Sequence, residues 1–176
     1  MAQEPLFSNE YPLAAQYGGI GTILGHEIFH LPEVGDMPAE PTKLQKRMLA
    51  DSLPMSSKSC LKQQYIDLGS PSFSYYFLFQ IIADQSGAKT AWMAYKTHSE
   101  RNPQNFDLAL NSTELTQDQL FFILFGISQC SNNAYDNISL GKIRVEGVLQ
   151  NMPEFSRAFQ CPLGSKYNQK HKCEVY

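Results

Sequence analysis

Gly25-His26-Glu27-Ile28-Phe29-His30 is the stretch on which the reading of this chain turns. It is an H-E-x-x-H pattern inside a helical run. Ile20, Ile23, Leu24, Ile28 and Phe29 recur at helical spacing up to His30, and Pro32 is expected to end the helix. Residues four apart share a helix face, so both imidazoles can reach one zinc ion while Glu27 stands beside the metal-bound water as general base. Two incidental histidines on one helix would give the same pattern, so a third ligand decides between the readings. Glu33 lies beyond Pro32, and no H-x-x-G-x-x-H continuation follows, so the metzincin pattern fails. The other class takes its third ligand from a later helix, where Gln80-Ile81-Ile82-Ala83-Asp84 puts Gln80 and Asp84 on one face.

Outward from this motif the chain reads as mainly helical. Gly18 to Gly21 reads as a flexible glycine cluster ahead of the first helix. From 31 to 70 the pattern breaks up, with Pro32, Pro38, Pro41 and Pro54 around one short amphipathic piece at 44–53. A second helix is predicted over 79–95, burying Ile82, Ala83, Ala91, Trp92 and Tyr95. Thr116 with Gln119 forms a capping box that opens a strongly apolar, buried helix through Leu120, Phe121, Ile123, Leu124 and Ile127. Asn151 with Glu154 reads as another capping pair ahead of Phe155, Ala158 and Phe159, aromatics that read as core.

A chain of 176 residues holds about one domain. Hydrophobic residues make up 43% and charged residues only 18%, which excludes intrinsic disorder for most of the length. The net charge is -3 and there is no basic cluster, so nucleic acid is not an expected partner. Apolar runs fall far short of the ~20 residues that cross a bilayer. The first residues lack a signal peptide's basic and apolar regions. Four cysteines, none in a C-x-x-C pair, and two sequons, at Asn111 and Asn137, nevertheless lean towards an extracellular protein.

Taken together, several motifs make the chain resemble the C-terminal part of the neprilysin family of zinc metallopeptidases. Tyr17-Gly18-Gly19-Ile20-Gly21 is similar to that family's approach to its zinc helix, and Gln80 to Asp84 resembles its Glu-x-x-x-Asp segment. Asp118 to Phe122, Arg144 to Asn151, Ala158 to Cys161 and Cys173 to Tyr176 resemble later family segments, with Tyr176 where Trp is usual. The resemblance implies the helical part of a thermolysin-like zincin catalytic domain, one truncated unit over 1–176. The upstream sheet, with the strand that holds the peptide backbone, and the N-terminal helical domain and anchor are expected to be absent.

The resemblance makes His26 and His30 zinc ligands, Glu27 the base, and Asp84 the group that fixes a ligand histidine and approaches Arg144, which would hold a substrate carbonyl. It implies a Cys60 to Cys173 bridge and leaves Cys130 and Cys161 without partners. It implies a peptide as substrate or ligand and an extracellular or plasma-membrane setting. Two positions depart from the pattern. Gln80 stands where the family has a Glu ligand, and a neutral amide weakens zinc binding. Ile138 stands where a His would stabilise the tetrahedral intermediate, a donor whose loss typically costs about 10²-fold to 10³-fold in rate. Weak zinc binding and impaired catalysis are therefore expected. The alternatives are a non-catalytic extracellular binding module and a gene fragment.

Overall fold

Residues 7–30, 53–70, 73–103, 114–130 and 138–175 are described by a computed structural model, and among them there are helices but no strand. The first helical stretch runs unbroken from Leu13 to His30. It comprises α1 (Leu13–Gln16), a π-helical turn (Tyr17–Gly21) and α2 (Thr22–His30). The glycine cluster, read above as a flexible lead-in, is thus part of the helix. Its glycines serve close packing. A Cβ on Gly18 would run into the backbone carbonyl of Phe121. Thr22 Oγ1 donates to the Gly18 and Gly19 carbonyls at 2.9 and 2.8 Å, tying the π turn to the start of α2. Pro32 lies outside the described residues.

A second difference lies in the stretch read above as irregular. Helix α3 (Met55–Asp67) occupies it, burying Leu61 and Tyr65, while most of the predicted piece at 44–53 lies outside the described residues. The helix escapes pattern reading because its inward face is only these two residues and its N-terminus has no side-chain cap. Helix α4 (Tyr75–Arg101) is longer than predicted. Ser74 caps it by accepting from Phe77 N at 3.1 Å, and the helix ends at Asn102. Trp92 on this helix is only partly buried.

Helix α5 (Gln117–Ser128) opens with the capping box, Thr116 N to Gln119 Oε1 at 3.0 Å and Gln119 N to Thr116 Oγ1 at 3.1 Å. Helix α6 (Ile138–Asn151) and the short α7 (Pro153–Ala158) follow. The predicted second capping pair does not form. Asn151 closes α6, Met152 precedes α7, and Glu154 pairs with Arg157 at 3.1 Å instead.

Two apolar clusters meet on α4. One joins Ala14, Ala15, Ala88, Tyr95, Phe121 and Val148, with Trp92, Phe155 and Phe159 packed at its edge. Rings here contact one another, as in Trp92 on Phe122 at 5.0 Å and Phe155 on Phe122 at 5.3 Å, and this makes the aromatics core. The other cluster joins Leu61, Tyr65, Ile81, Ile82, Ile143 and Cys173. A disulfide from Cys60 to Cys173, with Cα atoms 5.6 Å apart, brings the C-terminal segment onto α3.

Amide side chains seat that segment further. Gln85 Nε2 donates to the Cys173 carbonyl at 2.9 Å, and Cys173 N donates to Asn151 Oδ1 at 2.9 Å. Asn151 Nδ2 in turn reaches Gln64 Oε1 at 2.9 Å and Gln85 Oε1 at 3.1 Å. Cys130 and Cys161 are free thiols.

Candidate active site

The two histidines of α2 lie across α4, and the crossing is close because glycine meets glycine. A Cβ on Gly25 would stand 2.7 Å from the Gly87 carbonyl oxygen, and one on Gly87 would stand 2.5 Å from His26 N. These contacts are with backbone, which cannot rotate away, so only glycine permits this separation. The approach also decides which face of α2 is buried. Gly25 and Thr22 are the buried residues of α2, while Leu24 and Ile28 are 56% and 55% exposed.

From this crossing His26 reaches α4. Its Nδ1 lies 2.8 Å from Asp84 Oδ1, a contact short in distance but bent away from good hydrogen-bond geometry. Its Nε2 lies 2.7 Å from Nε2 of His30, and the rings are edge to face with centroids 4.4 Å apart. The ring of Phe79 packs 4.6 Å from His30 on the other side. Burial, then the neighbouring His26, pushes the His30 imidazole below its usual pKa against the pull of Glu27 and Asp84, which favours the neutral form. Glu27 is exposed beside the pair.

Asp84 is the buried anchor of the site, its side chain only 2% exposed. Arg144 from α6 grips it through both Nε and Nη2 at 2.6 Å, the fork geometry that suits a carboxylate. Burial raises the pKa of Asp84, but the close approach of the His26 ring, the two hydrogen bonds from Arg144 and the charge of Arg144 outweigh it, so the carboxyl is held below its ordinary range. The Arg144 side chain remains 26% exposed.

The remaining sequence-predicted residues fall as follows. Gln80 sits on α4 one turn before Asp84 and is partly buried. Ile138 begins α6, the helix that carries Arg144. Asn111 and Asn137 lie outside the described residues. Sequence reading did not single out the Gly25 and Gly87 contact as a spacer, although a glycine directly before the first histidine and another three residues after Asp84 were its signal. The Gln64, Gln85 and Asn151 cluster has no sequence signature.

The donor set matches a tightly held zinc ion only in part. The two Nε2 atoms converge to 2.7 Å, closer than the roughly 3.3 Å that separates two tetrahedral ligands each bonding zinc at about 2.0–2.1 Å. Gln80 offers a neutral amide, and among the described residues no group of three His, Cys, Asp or Glu side chains is arranged to hold one metal ion.

Fold and site together define the class: an H-E-x-x-H helix laid across a second helix whose buried aspartate holds both the first histidine and an arginine. The sequence profile of peptidase family M13 matches residues 1–175, and the chain belongs to that family of metallopeptidases. It is 33% identical over 190 residues to endothelin-converting enzyme 1 of Rattus norvegicus, an alignment that covers 99% of this chain and 24% of that protein. It is 33% identical to an endothelin-converting enzyme homolog of Locusta migratoria, covering 99% of this chain and 26% of the relative. With Neprilysin-1 of Caenorhabditis elegans the identity is 29%, over 99% of this chain and 25% of the relative. The chain thus spans about a quarter of the length of these relatives. A solved structure titled "Haemonchus galactose containing glycoprotein complex" has the same fold, with a TM-score of 0.73 at 23% identity over 98% of this chain and 32% of that one. Among the described residues no helix is long and apolar enough to cross a membrane.

Proposed function

We propose that this chain is a neprilysin-like zinc metalloendopeptidase in which zinc retention and peptide hydrolysis are both impaired. The observation that carries the reading is Gln80. It stands one turn before the buried Asp84, so a site that keeps His26, His30, Glu27 and Arg144 has a neutral third donor. In this reading His26 and His30 would hold a zinc ion weakly, with Gln80 at best a neutral third ligand. When bound, such an ion supplies Lewis acidity and a lowered water pKa. The chain's own groups act around it. Glu27, exposed beside the histidines, is placed to accept a proton, and Asp84 keeps the His26 ring in one orientation. Arg144 spends Nε and Nη2 on Asp84, and its exposed remainder would receive a peptide carbonyl.

The stronger form of the reading is a non-catalytic peptide-binding module, and Ile138 favours it because an alkyl side chain donates no hydrogen bond to an oxyanion. The Cys60 to Cys173 disulfide supports an extracellular or cell-surface setting, where such bonds persist. Calorimetric zinc titration of the chain and of Gln80→Glu tests the metal half, and tighter binding by the variant is expected. Hydrolysis of a fluorogenic peptide with an apolar residue after the scissile bond tests the other half, with Glu27→Gln as the blank. Near-stoichiometric, tight zinc in the unmodified chain, or chelator-sensitive turnover abolished by Glu27→Gln, would overturn the impairment.

A further inference from the structure

The Asp84 and Arg144 pair joins α4 to α6, so its geometry depends on how deeply α6 seats. Two neighbouring residues of α3 converge on one residue of α6, and that residue is Gly147, three positions after Arg144 and so on the same side of its helix. Gln64 Nε2 reaches the Gly147 carbonyl at 3.3 Å. Tyr65 presses the tip of its phenol into the place where a Cβ on Gly147 would stand, with Cζ and the hydroxyl both inside contact distance. Tyr65 is fully buried, and the ring of Phe77 stands edge-on to it at 5.5 Å. Its own helix is tied to the Cys173 segment by the Cys60 disulfide. The phenol therefore cannot retreat, and α6 can approach only as far as the ring allows.

We propose that Tyr65 is a positioning residue of this site: its ring is the spacer that sets the depth of α6 and so holds the Arg144 guanidinium in two-point register on Asp84. The hydroxyl is not what the spacer needs. It is buried and makes no hydrogen bond among the described residues, so phenylalanine would keep the contact and remove a polar atom without a partner there. Electrostatics agree with the proximity, since burial and then the charge of Asp84 push the Tyr65 phenol far above its usual pKa, opposed by Arg144.

The test reads the pair itself in the metal-free full chain, so it stands apart from the peptidase reading. Solvent exchange of the Arg144 Nε–H is followed by nitrogen-15 NMR, with Asp84→Asn assigning the signal by its loss of protection. Tyr65→Phe is expected to keep wild-type exchange. Gly147→Ala, which puts a methyl against the ring tip, is expected to speed exchange by about tenfold or more while circular dichroism stays helical. Combining Gly147→Ala with Tyr65→Leu vacates the space the methyl needs and should recover protection towards wild type. A Gly147→Ala chain that stays folded with unchanged exchange would overturn the proposal, and so would lost protection in Tyr65→Phe. Should Gly147→Ala fail to fold, recovery of a folded, protected chain in the double variant supports the spacer, and failure to recover overturns it.

Discussion

Replacing Gly87 by alanine sets two known effects against each other at one atom. In an isolated helix the change would stabilise, because alanine exceeds glycine in helix propensity by about 1 kcal/mol. At this crossing the added methyl would lie 2.5 Å from His26 N, 2.8 Å from the Gly25 carbonyl carbon and 2.9 Å from His26 Cα. All three atoms are backbone, so relief requires α2 and α4 to part by roughly 1 Å to reach ordinary carbon contact distances. Overpacking of this kind costs about 1–3 kcal/mol, and a backbone obstacle belongs at the upper end. The expected net loss is therefore about 1–2 kcal/mol. Gly126 supplies the internal control. It too lies within a helix, but a Cβ there meets nothing within 4 Å among the described residues, so Gly126→Ala should gain about 0.5–1 kcal/mol. Urea unfolding of both variants, with unchanged denaturant slopes, measures the difference. A Gly87→Ala chain as stable as wild type would refute the claim that glycine contact sets this helix separation.

Two further outcomes follow from the anchor and the staple. Asp84→Asn should destabilise by about 3 kcal/mol at neutral pH, because it leaves Arg144 without its buried counter-charge and the His26 ring without its carboxylate neighbour. The folded pKa of Asp84 lies below its unfolded value, so its contribution is complete above about pH 4 and is lost as pH falls through the folded pKa. Wild-type and Asp84→Asn stabilities should therefore converge in acid, and a gap that persists unchanged down to the acid transition would contradict this. Reducing the Cys60 to Cys173 bridge, which closes a separation of 113 residues, should cost about 4–5 kcal/mol in the chain-entropy model. Melts with and without reductant check that figure, and Cys60→Ser with Cys173→Ser should reproduce it.

What could be read in advance was what local chemistry writes into neighbouring residues. The Thr116 and Gln119 capping box needs only three peptide links of chain to declare itself, and α5 begins where it says. The histidine spacing and the Gln80 to Asp84 spacing are likewise local, and they put the candidate residues on the right helices. Errors came where a distant partner decides. Asn151 looks like a helix cap until Gln64, Gln85 and Cys173 claim its amide. Helical spacing of Leu24 and Ile28 does not say which face of α2 is buried, and the tight fit of Gly25 on Gly87 leaves both exposed. Helix α3 has too few apolar residues to announce itself and is held by Tyr65, Leu61 and a disulfide whose other half is near the C-terminus. The π turn is invisible to any reading that takes glycine only as a source of flexibility.

The order in which the ribosome delivers these parts gives the amide cluster and the disulfide another meaning. Arg144 follows Asp84 by 60 residues, Cys173 follows Gln85 by 88 and Cys60 by 113. Closing loops of such length costs chain entropy before any contact repays it, so these links belong to the late stage of folding, after the local helices. A nascent chain that has not yet delivered Arg144 carries the H-E-x-x-H helix and its aspartate but no cation to neutralise that aspartate. The Cys173 segment is therefore joined to α3, α4 and α6 only after all three helices have been made, and sulfur then locks it there.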